Sequence, residues 1–300
     1  TLTISGIKKL PTMILIADSG STKTDWACVP EAGSRRITFT SQGYNPNYIS
    51  QDEMREDIIR SLPAGFPRGE VSEIYFYGAG VTELQYDFVR RTLHAVFPAA
   101  AEIFVAMDLL AAARALLGRR AGFAAILGTG TNSCLYDGEC ITQNIDSLGF
   151  ILGDEGSGGY LGKRLISDFI RGEMPEKVRQ LTAAALGRTG DELIDCIYTQ
   201  PFPNRFCAQY SRFVGENLHS DPYFFDLVLD SFRAFFHNIV SRYPDYRTYC
   251  FNCVGSVGYA FRDILKVVTG EFGMETGSIL QVPMEGLIDY HTNRNTTSNP

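Results

Sequence analysis

No apolar run in these 300 residues approaches the ~20 that a membrane-spanning helix needs. Thr1 to Thr12 also lacks the long apolar core of a signal peptide. A basic surplus is missing: 27 Lys and Arg face 34 Asp and Glu, a net charge of −7. That deficit argues against a general nucleic-acid binder, because nothing is left over to neutralise a phosphate backbone. It leaves room for a nucleotide, whose charge backbone dipoles and Mg²⁺ can meet. Cysteine is odd in number and scattered, at Cys28, Cys134, Cys140, Cys196, Cys207, Cys250 and Cys253. Without a secretory signal these read as free thiols of a reducing cytoplasm. Cys250 and Cys253 make one CxxC with no second pair, so they read as core cysteines on a strand before a metal or redox site. The four histidines show no metal-ligand spacing. Neither a short-period repeat nor a helix-turn-helix extension is visible.

What remains is an ordinary globular composition, 45% hydrophobic and 20% charged, with length for about two domains. It carries two glycine-threonine loops far apart in sequence, DSGSTKTDW (Asp18 to Trp26) and LGTGTNS (Leu127 to Ser133). Each follows an apolar run that reads as a strand, Met13 to Ala17 and Phe123 to Ile126. Small residues let backbone approach a ligand closely, and successive N–H groups in such a turn form a concave anion site. Two such loops in different halves suggest a phosphate chain gripped from both sides.

Strand signals continue at Trp26 to Val29 and Arg36 to Thr40, at Glu73 to Tyr77 before the turn Gly78 to Gly80, and at Ile103 to Ala106. Helical spacing covers Gln51 to Leu62, Glu83 to Val96 and Leu109 to Leu117. The pattern then restarts at Phe123, returns at Ser133 to Tyr136 and Ile141 to Asn144, and turns helical. Phe206 to Leu218 reads as one helix, and a last strand, Thr248 to Val254, enters the turn at Gly255. The sequence predicts an α/β protein of two domains with related folds and a cleft between them. The expected parts are an upstream extension over 1–12, a first domain over 13–118, a second over 119–281, and a polar tail over 293–300. The segment 282–292 is expected to return to the first domain.

Several residues carry possible chemistry. Asp18, at the end of the first strand, suits Mg²⁺, directly or through water, a reading the small and hydroxyl residues after it favour over a turn acid capping its own loop. Asp108 follows a strand and opens a helix, where an N-cap is expected. The glycine loop that comes next would put it at the cleft edge, where a carboxylate can take the proton of an attacking hydroxyl. Gly149 to Lys163 (GFILGDEGSGGYLGK) sets Asp154 and Glu155 in a long glycine turn, as acceptors for sugar hydroxyls or as ordinary turn acids. Gly255, Ser256, Val257 and Gly258 follow a strand and open a helix, which suits a nucleoside or close helix packing. Asn45 and Asn47 flank Pro46 in a turn, with donors and acceptors for a hydroxyl or amide.

The order of these motifs resembles the sugar kinase and ATPase branch of the actin, hexokinase and heat-shock chaperone superfamily. More narrowly it resembles the BadF/BadG/BcrA/BcrD-type group that contains N-acetylglucosamine kinase. The resemblance spans Met13 to about Tyr290, and the acidic turn GDEGSGGYLG (Gly153 to Gly162) is its most specific match. It implies two ribonuclease H-like (actin-like ATPase) domains with an interdomain cleft, and an ATP-dependent kinase of N-acetylglucosamine or a related amino sugar. By this resemblance Gly20, Ser21, Thr22, Lys23, Gly128, Thr129 and Gly130 would bind ATP phosphates. Gly255 to Gly258 would face the adenosine. Asn47, Thr131, Asn132 and Asp154 would hold the sugar, with Asp108 as catalytic base and Asp18 placing Mg²⁺. The expected surroundings are a cytoplasm, a small sugar substrate, no nucleic acid, no membrane, and room for a homodimer. One departure stands out: the family's Gly-Trp-Gly element is Ser147-Leu148-Gly149 here. Two rivals share the scaffold, an ATPase driving a conformational change in a partner protein and a non-catalytic sugar sensor.

Overall fold

A computed structural model describes residues 13–293 apart from 21, 31–35 and 47. Ser21, Asn47, the expected extension 1–12 and the tail beyond 293 lie outside the described residues. The chain divides into two compact units, one running up to Ala111 and resuming at Met284, the other Ala112–Pro283.

The first unit opens with an antiparallel meander of β1 (Met13–Ser19), β2 (Lys23–Pro30) and β3 (Ile37–Gln42). Helix α1 (Gln51–Ser61) follows, then β4 (Val71–Gly78), α2 (Tyr86–Val96), β5 (Glu102–Met107) and α3 (Asp108–Leu117). β4 pairs parallel with β1, and β5 parallel with β4, so the strand order is β3-β2-β1-β4-β5. Burial follows position. β1 and β4 hold consecutive buried residues, as strands covered on both faces do, while edge strand β3 alternates. Ser50 starts α1 with a capping box, its hydroxyl taking the Glu53 N–H while the Glu53 carboxylate takes the Ser50 N–H. Trp26 is buried on β2 and stacks on Phe39 at 5.4 Å, so it belongs to the core.

The second unit repeats the plan. β6 (Gly122–Leu127), β7 (Thr131–Tyr136) and β8 (Ile141–Asn144) form the meander. Nine helices follow among the described residues: α4 (Gly149–Leu152), α5 (Gly158–Arg171), α6 (Glu176–Leu186), α7 (Gly190–Thr199), α8 (Pro203–Ala208), α9 (Tyr210–Glu216), α10 (Pro222–Asn238), α11 (Ser256–Ala260) and α12 (Arg262–Glu271). β9 (Cys250–Val254) and β10 (Glu275–Leu280) run parallel to β6, giving β10-β9-β6-β7-β8. This is the order of the first sheet again: a three-stranded meander extended by two parallel strands beside its first member. Each unit has its own apolar cluster, one built on Trp26, Phe76 and Phe97, the other on Phe123, Phe235, Phe236 and Phe251. α13 (Met284–Thr292) returns to the first unit, where Arg36 bonds Glu285 at 2.7 Å and the buried His291 ring stacks on Tyr75 at 3.8 Å.

Three local readings change. The helix expected over 206–218 is interrupted at Gln209, between α8 and α9, and the Ser211 hydroxyl donates to the Ala208 carbonyl at 2.7 Å beside the break. β10 is a strand without a strand signal in its sequence, because its first four residues are exposed and polar or glycine and leave no hydrophobic alternation. Cys253 is buried as expected, but Cys250 is exposed. An odd spacing on a strand sends the two thiols to opposite faces.

Candidate active site

In the first unit three parallel strands end level. Ser19 on β1 pairs with Gly78 on β4, and Gly78 with Met107 on β5. Asp18 and Asp108 therefore sit at the carboxyl ends of two strands in one sheet, the edge where open α/β sheets take ligands. Asp108 is the first residue of α3, and the backbone N–H groups of Leu109 and of Asp108 itself favour its charged form. The helix-start reading and the base reading thus describe the same carboxylate. Burial outweighs those bonds and pushes Asp108 up to about 6. Burial, then the charges of Asp108 and Asp25, push Asp18 up to about 7, against the pull of Lys23. Both side chains keep partial access to solvent.

The first glycine loop is the β1–β2 hairpin turn. Asp18 pairs with Asp25 and Ser19 with Thr24, so the chain reverses between these two strands. Gly20 N–H donates to the Lys23 carbonyl at 2.9 Å. Beneath it, the buried Ser19 and Thr24 hydroxyls bond each other at 2.8 Å, and Tyr44 N–H donates to Ser19 Oγ at 3.1 Å. Those bonds fasten the turn to Tyr44. Asn45 packs on Gly80, where a Cβ would stand 2.8 Å from the Asn45 amide nitrogen. Thr22 is exposed, and Lys23 pairs with Asp25 at 2.8 Å. Among the described residues no group of three or more His, Cys, Asp or Glu is placed to hold a metal ion. Mg²⁺ is commonly held by one or two carboxylates with waters and substrate phosphates, so Asp18 fits it as a single protein ligand in an acidic setting.

In the second unit Ile126, Val254 and Leu280 are in register, so the turns after β6 and β9 emerge at the same sheet edge. They touch. Gly255 has φ +135°, and a Cβ there would run into the Leu127 carbonyl. At Gly258 a Cβ would meet Cys253 Sγ at 2.9 Å and Leu127 Cβ at 3.2 Å. Only glycine lets residues 255–258 lie on the loop 127–130. The start of α5 holds that loop from another side, with Gly158 N–H on the Gly128 carbonyl at 2.8 Å and Gly159 N–H on the Thr129 carbonyl at 3.0 Å. Among the described residues the N–H groups of Thr129 and Gly130 donate to no protein acceptor. Open space lies where a Gly128 Cβ would be. Carbonyls tied down and N–H groups left over make an anion site.

Asp154 lies beside this loop in a left-handed conformation, φ +59°, buried. Its Oδ1 accepts the Thr131 N–H at 3.2 Å and the Ser147 hydroxyl at 3.0 Å. The Thr131 hydroxyl donates to the Glu155 carbonyl at 2.7 Å. Burial raises the Asp154 carboxyl and those N–H and hydroxyl donors oppose it. Asn132 accepts from Asn144 at 2.9 Å, and Glu155 from Asn238 at 2.7 Å. Thr131 and Asp154, both expected to face a sugar, thus also brace each other. Ser147 and Asn238 were not foreseen. Neither has a motif, and their partners are reached only through the fold.

No family model matches this chain, and no curated protein sequence does. Among solved structures, one from Porphyromonas gingivalis, described as a "Putative N-acetylglucosamine Kinase", is 40% identical, covers 95% of this chain and 100% of its own, and has a TM-score of 0.88. One from Chromobacterium violaceum bearing the same description is 18% identical over 93% and 99%, with a TM-score of 0.71. A ROK family glucokinase from Streptomyces griseus, in complex with glucose and AMPPNP, is 15% identical over 93% and 97%, at 0.52. The last two share the fold.

Proposed function

We propose an ATP-dependent sugar kinase on one premise: this chain belongs to the family of the N-acetylglucosamine kinase-like protein of Porphyromonas gingivalis. The reaction moves the γ-phosphoryl group of ATP to a hydroxyl of N-acetylglucosamine or a related amino sugar. Within the superfamily we assign the chain to the BadF/BadG/BcrA/BcrD-type group, on the acidic glycine turn at Gly153 to Gly162. Its free cysteines and ATP requirement suit the cytoplasm.

The observation that carries the reading is the level ending of β1, β4 and β5, which sets Asp18 and Asp108 at one sheet edge. Asp108 takes the proton from the sugar hydroxyl as its oxygen attacks phosphorus; a carboxyl held near 6 is ionised and still basic at neutral pH. The unused N–H groups of Thr129 and Gly130, with Thr22 and Lys23 on the hairpin, take phosphate oxygens. Gly255 to Gly258 give the adenosine a flat backbone. Thr131, Asn132 and Asp154 orient the sugar, as does Asn47. Mg²⁺, held through Asp18, would supply charge stabilisation to the phosphates. Positioning and electrostatics carry most of the rate in such transfers.

The test is ADP release from Mg-ATP in a coupled assay with N-acetylglucosamine, N-acetylmuramic acid, glucosamine and glucose. Sugar-dependent ADP with an N-acetylated acceptor is expected. ADP release indifferent to every sugar would overturn the reading.

A further inference from the structure

Leu148, Ile151 and Leu152 are 60%, 82% and 75% exposed, a dense apolar surface for so short a segment. With Phe150, Pro203 and Asn204 they line a cavity of about 490 Å³ in the second unit. That lies within the roughly 300–1,000 Å³ usual for small-molecule pockets.

The cavity adjoins the residues assigned above to the sugar and the phosphate. Ser147, one residue before Leu148, holds Asp154 twice, through its hydroxyl at 3.0 Å and through its carbonyl, which accepts the Asp154 N–H at 3.0 Å. Gly159 stands at the junction. A Cβ there would meet the Thr129 carbonyl at 3.0 Å, the Phe150 ring at 3.2 Å and the Asn204 carbonyl at 3.6 Å. The phosphate loop and two residues of the cavity wall therefore converge on the Cβ position of Gly159. Lys163 fixes that wall: its Nζ donates to the Phe150 carbonyl at 2.6 Å and lies 5.0 Å from the centre of the Phe150 ring.

We propose that this pocket receives the N-acyl chain of the substrate and accepts chains longer than acetyl. The inference rests on the sugar-kinase reading. The lining selects the occupant. A sugar ring or a carboxylate-bearing substituent laid on five apolar side chains finds few hydrogen-bond partners in the wall and gives up part of its hydration. An acyl chain matches the apolar wall, and its amide matches the one polar lining residue, Asn204.

The experiment is steady-state kinetics of the full chain with Mg-ATP on N-acetyl-, N-propanoyl- and N-butanoylglucosamine, with wild type and Ile151→Trp, which narrows the cavity from an exposed position. For wild type, kcat/KM rises about two- to fourfold per added methylene, the upper figure matching about 0.8 kcal/mol per buried methylene. In Ile151→Trp the ratio of kcat/KM for butanoyl to that for acetyl falls at least tenfold. Rejection of the longer chains by wild type, with the acetyl sugar still phosphorylated, overturns the pocket assignment alone, as does an unchanged ratio in the variant. Failure of all three sugars to accept phosphate removes the kinase reading beneath it.

Discussion

Replacing Asp108 by Asn separates two roles of one carboxylate, because the change removes a base and a buried charge together. Burial holds Asp108 up at about 6, against 3.8 for the unperturbed group. Two pKa units correspond to roughly 3 kcal/mol. Partial solvent access reduces that, so about 1–2 kcal/mol is the realistic cost of ionising the group in the folded protein. A carboxyl whose folded pKa lies above its unfolded value favours folding fully below pH 4. That stability drains away as pH rises through about 6 and stays lost above it. Asp108→Asn should therefore melt about 2–3 °C higher than wild type at pH 8, with the gap closing towards pH 4. Over the same series, turnover should fall roughly 10²–10⁴-fold, with ATP binding close to normal. Wild-type kcat/KM should climb with pH through about 6 as the base ionises. Thermal melts at pH 4.5 and 8 and the coupled ADP assay measure all three. Turnover within a few-fold of wild type would refute the base; equal destabilisation at both pH values would refute the buried-charge account.

Two glycines predict opposite results. Gly255→Ala forces a Cβ into the Leu127 carbonyl at φ +135°, so a loss of about 2–4 kcal/mol in unfolding free energy is expected, read from urea melts. Gly128→Ala enters open space and should leave stability within about 1 kcal/mol while raising KM for ATP; equal destabilisation by the two would refute the packing described for this loop. His291→Ala removes the ring stacked on Tyr75 and the 2.8 Å bond to Tyr77, at a cost of about 2–3 kcal/mol in stability. Its kcat should be unchanged, and a lower kcat without a lower melting temperature would mean that α13 acts on the chemistry.

Most of this architecture is legible in the sequence wherever a strand runs straight into a glycine turn. Phe123 to Leu127 and the loop after it need no tertiary information to be recognised, and β1 with its hairpin reads the same way. The same holds for the α/β class and for Asp108 at a strand-to-helix junction. Legibility fails where the signal belongs to the partner. β10 is a strand because β9 offers it an edge, not because its own residues alternate. His291 has no motif, and its burial depends on Tyr75 and Tyr77 more than two hundred residues earlier. Asp154 is the mixed case. Its glycine-rich turn marks a ligand loop, yet the bonds to Thr131 and Ser147 emerge only once β7 lies beside the turn.

The two sheets share one strand order yet carry opposite chemistry at the same edge. In the first, Asp18 lies at the end of β1 and Asp108 follows β5; in the second, Gly128 follows β6 and Gly255 follows β9. Acids crowded there repel, and Asp18 is driven to about 7 partly by the charge of Asp108. Such a site is stabilised by anything cationic that enters it, which suits a metal-bearing substrate better than an empty protein. At the matching edge α5 occupies the carbonyls of Gly128 and Thr129, while among the described residues the N–H groups of Thr129 and Gly130 have no protein acceptor. An anion satisfies them. A nucleotide is anionic in its phosphates and cationic at its metal, so each edge finds a charge of the sign it lacks, whereas an uncharged sugar supplies neither. Nucleotide binding should therefore stabilise the fold far more than sugar binding. Mg-ATP ought to raise the melting temperature by several degrees at concentrations where N-acetylglucosamine alone barely moves it, with metal-free ATP falling between. A sugar that stabilised the protein as strongly as Mg-ATP would show that these edges are not what holds the phosphates.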